Sequence, residues 1–146
     1  MSKVEIINML NKALELEHAA RIQYLSHAET VDGINAEPVI ARLKEIAGDE
    51  EKHEAKFRTL IGSYLNGVPS MGIAKTNAAK TVKDILEINL KNEKEATDFY
   101  KKILDKINKE KQDLPYEFLQ LEHEVRHVIM DEMEHIAELK LLLAKK

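Results

Sequence analysis

Apolar residues recur along this chain in alternating steps of three and four, the spacing that lays one stripe along an α-helix. Glycine, proline and polar runs interrupt the pattern at VDGINAEP (31–38), NGVPSMGIAKTN (66–77) and NKEKQDLP (108–115), leaving four long segments. In the first segment the stripe runs through Ile7, Leu10, Leu14, Glu17, Arg21, Tyr24 and Ala28. The second carries Val39, Leu43, Ile46, Glu50, His53, Phe57, Leu60 and Tyr64. In the third it passes through Leu86, Asn89, Glu93, Ala96, Tyr100, Ile103 and Ile107, and in the fourth through Phe118, Leu121, Val125, Val128, Glu132, His135, Leu139 and Leu142. Helices are therefore expected at roughly 3–30, 37–65, 80–108 and 115–144, in one domain spanning 1–146. Pro38 and Pro115 fall where helix N-termini are expected, and Thr81 or Asn77 is placed to cap the third helix. The outer connections are short and the middle one is long enough to run the length of a bundle. The predicted fold is all-α, an antiparallel four-helix bundle of two hairpins joined by a long crossover.

Each stripe is apolar except near its middle, where it carries Glu17, Glu50 with His53, Glu93, and Glu132 with His135. An ionised carboxylate buried without a partner is strongly disfavoured, so these four need compensation. The stripes hold one arginine, Arg21, and no lysine. Two divalent metal ions would balance four carboxylates, with imidazole nitrogens completing their coordination. Glu and His three residues apart lie on one helix face and reach the same interior point.

The pattern also repeats. Asp49-Glu50-Glu51-Lys52-His53 and Asp131-Glu132-Met133-Glu134-His135 are both D-E-x-x-H, while Glu17, Ala20, Tyr24 and Glu93, Ala96, Tyr100 are both E-x-x-A-x-x-x-Y. Each hairpin thus supplies one lone Glu with a Tyr two turns on, and one D-E-x-x-H. A pseudo-twofold, two-metal centre follows. Asp49 and Asp131 are expected to accept the second ring N–H of His135 and His53 respectively, and Tyr24 and Tyr100 to bond Glu93 and Glu17 of the opposite hairpin.

Composition narrows the rest. Among 146 residues there are 22 Lys and Arg against 26 Asp and Glu, and no cysteine or tryptophan. The acidic balance argues against nucleic acid and against a polybasic membrane anchor. Setting the four stripe glutamates aside leaves acids and bases equal at 22. The net charge of -4 is therefore assigned mainly to the centre. Without cysteine there is no disulfide framework, thiol nucleophile or rubredoxin-type iron site. The N-terminal residues have acids within their apolar pattern, and no apolar run approaches membrane-spanning length. A cytoplasmic protein is expected.

A Glu from each of two helices plus Glu-x-x-His from each of the other two is the constellation of ferritin-like di-iron or di-manganese carboxylate proteins. This chain resembles that superfamily, and within it bacterioferritin, through LELEHAARIQYLSHAE, DEEKHEAKFRTLIG, NEKEATDFY and DEMEHIAEL. The resemblance implies that Glu17 and His53 are terminal ligands of one iron, Glu93 and His135 of the other, and that Glu50 and Glu132 bridge them. It implies two Fe ions per chain, with Mn as the second choice, and oxidation of Fe²⁺ by O₂ or H₂O₂, with Tyr24 and Tyr100 as catalytic candidates. A homo-oligomer, dimer or larger, is expected, aided by Met71, Ile73 and the apolar C-terminal turn.

Three departures qualify the match. Glu51 stands where bacterioferritin has its haem-ligating Met, so no haem is expected, and LKLLLAKK leaves no room for a short fifth helix, which counts against a storage cage. The span between the third and fourth helices is longer, as a helical extension of the hairpin would be. Rubrerythrin, a peroxide reductase, is the nearest rival family, but its additional carboxylate would fall at Ala96 and its second domain needs cysteines. The same stripes would also serve a di-metal oxygenase or, with the glutamates protonated or paired, a non-catalytic helical interaction module.

Arg21 either pairs with a site carboxylate or reaches past the bundle edge to solvent. His123-Glu124-Val125-Arg126-His127 forms the H-E-x-x-H string of zinc proteases. By helical angle it points away from the core, so a surface metal site or solvated histidines fit better than a protease. His18 and His27 are expected at the surface or behind the ligands.

Overall fold

The computed structural model describes residues 2–144. Helix α1 spans Ser2–Thr30, and α2 spans Ala36–Thr59 and continues into a single π-helical turn, Leu60–Tyr64. After the crossover come α3, Val82–Lys109, a short 3₁₀ turn, Lys111–Asp113, and α4, Phe118–Ala144. Helix α1 packs chiefly on α2, and α3 on α4, while α1 also meets α3 and α2 meets α4. Among the described residues no helix is long and apolar enough to cross a membrane.

Local chemistry accounts for the helix ends. Thr81 caps α3, its hydroxyl accepting from the Asp84 amide at 3.1 Å, whereas Asn77 lies in the crossover. Pro38 sits in the first turn of α2, where its missing N–H is harmless. Pro115 lies three residues before α4 instead of at its start, in the turn after the 3₁₀ segment. The hairpin is extended as expected, with α3 running on to Lys109.

The crossover is strapped along α1. Asn11 donates to the Val68 carbonyl, the Ala74 amide donates to the Glu15 carbonyl, and Thr30 donates to the Ala79 carbonyl. The chain therefore travels the length of α1 in the same direction before α3 turns back. Helices α2 and α3 consequently run parallel, the arrangement a long crossover permits and a short loop forbids.

Two apolar clusters fill the bundle on either side of its polar middle. One gathers Leu10, Leu14, Phe57, Ile61, Ile103 and Val125, the other Val39, Leu43, Ile46, Ile85, Leu86 and Leu139. The predicted stripe departs from the core at its ends: Tyr64 is 37% exposed, while Ile61 and Leu65 are buried. The π turn adds a residue to the helical repeat and rotates the face presented to the core. At the other end the fully buried position is Ile6, with Ile7 only partly buried.

Candidate metal centre

Between the apolar clusters, α1, α2, α3 and α4 bring Glu17, Glu50 with His53, Glu93, and Glu132 with His135 to one point, all of them buried. Their ligating atoms form two overlapping groups, Glu17, Glu50, His53 and Glu132, and Glu50, Glu93, Glu132 and His135. Within each group the atoms lie within 4.8 Å of one another. Glu50 and Glu132 belong to both groups. The rings of His53 and His135 stand 6.3 Å apart, each turning Nδ1 toward the carboxylates.

The supporting contacts have the pseudo-twofold symmetry of the sequence repeat. His53 Nε2 donates to Asp131 Oδ2 at 2.9 Å, and His135 Nε2 donates to Asp49 Oδ2 at 2.9 Å. Both aspartates are ionic acceptors on the half-exposed edge between α2 and α4, so each ring is fixed with Nδ1 inward. Tyr24 donates to Glu93 Oε1 at 2.9 Å, and Tyr100 donates to Glu17 Oε2. Burial first, then the nearby carboxylates, pushes both phenols well above their ordinary range, so they remain donors.

What the protein leaves undone is equally specific. Both oxygens of Glu50 and of Glu132, Glu93 Oε2 and His135 Nδ1 are buried without a hydrogen bond. The histidine nitrogens approach these oxygens at 3.1 to 3.6 Å, but without hydrogen-bond alignment. Buried acceptors are ordinarily satisfied, and a concentrated set of orphans calls for a cation. Two divalent ions would meet every orphaned atom, one in each group, with Glu50 and Glu132 shared. The residues fit a pair of oxygen- and nitrogen-loving metals.

Electrostatics carry the same message. Burial, then repulsion from Glu132, pushes Glu17 up from the ordinary 4.5 to about 7. Burial and the neighbouring carboxylates also push Glu50 well above its usual range, and burial with Glu132 does the same to Glu93. Burial alone would depress His53, but the close carboxylates of Glu132 and Glu17 drive it up to about 11. His135 is likewise driven to about 12 by Glu132 and Glu93. Burial also works against a charged Glu132, yet the His135 and His53 rings outweigh it and hold that carboxyl far below normal. Without metal, the cluster holds protons where cations would sit.

A cavity of about 120 Å³ reaches this point between α1 and α3 beneath the crossover. Its wall includes Glu17, Tyr24, Glu50, Glu93, Tyr100 and Glu132, with Gln23, Lys75, Asn92 and Glu95 further along.

Several polar residues escape a reading of the stripes. Glu54 is buried beside the centre but turns away from it, taking Arg21 Nε at 2.5 Å, Arg58 at 3.0 Å and His18 at 3.7 Å. Arg21 therefore pairs with this unforeseen carboxylate and not with a member of the cluster. The Glu54–Arg58 spacing of four is the one signal in the sequence that points to it. His27 is neither at the surface nor behind a ligand. It is 3% exposed, its Nε2 donating to the Asn77 carbonyl and its Nδ1 accepting from Asn89. The crossover, which carries no periodicity, covers it. His123 is exposed and His127 partly so, both outside the centre.

Comparison with known proteins agrees with this geometry. No curated protein matches the sequence. A ferritin-like, diiron-carboxylate protein from Bacillus anthracis superposes with a TM-score of 0.90 at 26% identity, covering 98% of each chain. The dodecameric, bacterioferritin-related thioferritin of Bacteroides fragilis gives 0.85 at 24% identity, over 97% of this chain and 85% of the other. Bacterioferritin from Desulfovibrio desulfuricans gives 0.87 at 23% identity, over 98% and 80%. The ferritin-like domain family matches residues 7–145, and with its crossover bundle and four-glutamate, two-histidine middle the chain belongs to that family.

Proposed function

We propose that this chain is a di-iron carboxylate protein that takes up two Fe²⁺ ions and oxidises them with H₂O₂ or O₂. The observation that carries this reading is the pair of donor groups sharing Glu50 and Glu132, whose buried oxygens the protein leaves unpartnered. The diiron-carboxylate description of the Bacillus anthracis structure supports it. In the reaction two Fe²⁺ substrate ions each lose one electron. Peroxide takes both electrons with two protons and becomes two water molecules; O₂ takes the same two electrons and two protons to become H₂O₂.

The chain's own residues have distinct parts in this. Glu17 with His53, and Glu93 with His135, would each hold one ion, with Glu50 and Glu132 common to both groups. Carboxylates suit the change in iron charge because they exchange terminal and bridging contacts easily. Asp131 and Asp49 hold each ring by its Nε2 proton and aim Nδ1 inward, where it would meet a metal once the Nδ1 proton is displaced. Tyr24 and Tyr100 act as positioning residues, fixing one oxygen of each terminal glutamate so that the other faces the metal. The cavity past Gln23, Asn92 and Glu95 admits ions and oxidant, its acids and amides suiting a hydrated cation. Val68, Met71 and Ile73 on the crossover, with Ile22 and Leu25 on α1, are exposed and favour association of copies. The dodecamer of the Bacteroides fragilis relative supports the same expectation.

Metal analysis with solution mass on native protein, followed by anaerobic loading and excess Fe²⁺ with oxidant, tests the proposal. Two irons per chain and continued oxidation of added Fe²⁺ are expected. A centre that oxidises a single pair and then stops would instead make iron a cofactor, as in a peroxide reductase or oxygenase. Manganese in place of iron would overturn the metal assignment. Full metal content in Glu50→Ala and Glu132→Ala would overturn the site.

A further inference from the structure

The H-E-x-x-H segment of α4 has no part in the centre, yet it is organised. His123 and His127 stand one helical turn apart with ring centroids 4.2 Å from each other and planes inclined by 36°. The His123 side chain is 53% exposed, so this contact is not forced by core packing. Glu124 Oε1 lies 3.2 Å from His123 Nδ1, and Glu124 Oε2 lies 3.1 Å from Lys56 Nζ on α2. A carboxylate only accepts, so His123 Nδ1 is the donor, and Nε2 is the ring nitrogen left for a ligand. This is the device seen twice in the bundle centre, where Asp131 and Asp49 fix one ring nitrogen and free the other for a ligand. Here the ring is turned the other way, with Nδ1 held and Nε2 free.

We propose that His123 and His127 form a second metal site on the outer face of α4, a two-imidazole chelate for a divalent ion such as Zn²⁺, Ni²⁺ or Cu²⁺. Imidazoles at positions i and i+4 share a helix face and reach one ion together. The two sites differ in donor chemistry. The centre offers four carboxylates to two imidazoles, whereas the outer pair offers nitrogen alone and follows the usual order in which Cu²⁺, Ni²⁺ and Zn²⁺ bind more tightly than Fe²⁺ or Mn²⁺. Glu124 orients the His123 ring and is itself held by Lys56, which removes it as the free general base that a zinc protease needs. Among the described residues no third histidine or carboxylate joins the pair in a cluster like the central ones, so water fills the other positions. The site stands whether or not the chain oxidises iron.

Zn²⁺ titration calorimetry on the full chain and on H123A/H127A decides the matter. The unaltered chain should bind one more Zn²⁺ than the double variant, and each single variant should weaken that site at least tenfold. E124Q should weaken it about tenfold through loss of ring orientation. Cu²⁺ at saturation should show a spin-resonance signal split by two imidazole nitrogens that disappears in the double variant. Thermal melts establish that the variants fold; should the alanine pair unfold, H123Q and H127Q provide the same comparison singly. Equal Zn²⁺ stoichiometry in folded variant and parent overturns the proposal, as does a Cu²⁺ spectrum indifferent to both histidines. Fe²⁺ oxidation by the double variant should equal that of the parent, and its loss would mean that the pair serves the centre and is not a separate site.

Discussion

Two polar groups are buried side by side in this bundle, and they are satisfied in opposite ways. Gln23, His27, Asn77, Asn89 and Asn92 form a neutral network between α1, α3 and the crossover. Gln23 Nε2 donates to Asn89 and Asn92 at 2.8 Å, Gln23 Oε1 accepts from the Asn77 amide, and Asn89 Nδ2 reaches both His27 and the Ile85 carbonyl. One turn away, the four glutamates and two histidines have far more acceptors than donors, and six of their atoms find no hydrogen bond. Amides carry donor and acceptor on one side chain and can close a network internally, whereas ionised carboxylates only accept. The first region holds the crossover on the bundle. The second is incomplete until cations arrive, and this imbalance is what marks it as the functional site.

The largest test of that contrast is metal itself. Fe²⁺ supplied anaerobically at about a thousandfold excess over its dissociation constant should stabilise the fold by roughly 4 kcal/mol, read as a rise in the melting temperature. Glu50→Gln should abolish most of this rise while leaving the metal-free form as stable as the parent or more so, because it replaces a carboxyl that burial already forces to hold a proton with a side chain that is neutral at every pH. A metal-free Glu50→Gln protein that melts well below the parent would refute the idea that the centre is frustrated without ions.

The same imbalance sets the pH dependence. Glu17, Glu50 and Glu93 have folded pKa values above their unfolded ones, so their contribution is present below about pH 4.5 and is lost as pH rises, for Glu17 through about 7. His53 and His135, raised to about 11 and about 12, contribute fully below about pH 6.5 and less above it. The depressed carboxyl of Glu132 contributes above about 4.5 and is lost only in stronger acid. His27, lowered by burial, works in the same direction as Glu132, against the trend. Metal-free stability should therefore fall between about pH 5 and 9, while Fe²⁺ binding tightens over the same range as metal displaces protons. Chemical denaturation of both forms across that range gives the two slopes, and parallel curves would contradict the account.

Smaller effects should separate the regions residue by residue. Asn89→Ala strands the His27 ring and removes one Gln23 partner, and should destabilise by about 2 kcal/mol equally with and without metal. A loss confined to the metal-bound form would join the amide network to the centre. Tyr24→Phe and Tyr100→Phe each remove one hydrogen bond to a terminal glutamate and should lower stability by about 1 kcal/mol. Stopped-flow absorbance should show slower Fe²⁺ oxidation in both, with two metals still bound. Unchanged rates would reduce the tyrosines to core packing.

The six cluster residues are legible in the chain because a helical stripe admits one face to the core, and a charged residue on that face is conspicuous. The amide network is not. His27 lies off the stripe and becomes buried only because Asn77, in a segment without period, is laid over it. Glu54 escapes for a related reason: it sits on the shoulder of α2, and its burial depends on Arg21 reaching over from α1. A regular repeat carried through Leu60–Tyr64 puts Tyr64 inside, but the helix widens there and turns it outward.

Residue order alone determined four helices, their antiparallel pairing and which carboxylates share the interior, since each follows from spacing along a single helix and from loop length. Tertiary structure alone decided how the polar residues off the stripes are completed. Pairing Arg21 with Glu54 and Asn77 with His27 requires the distance between elements to be set, and that distance is fixed by how the two apolar clusters pack on either side of the charged middle.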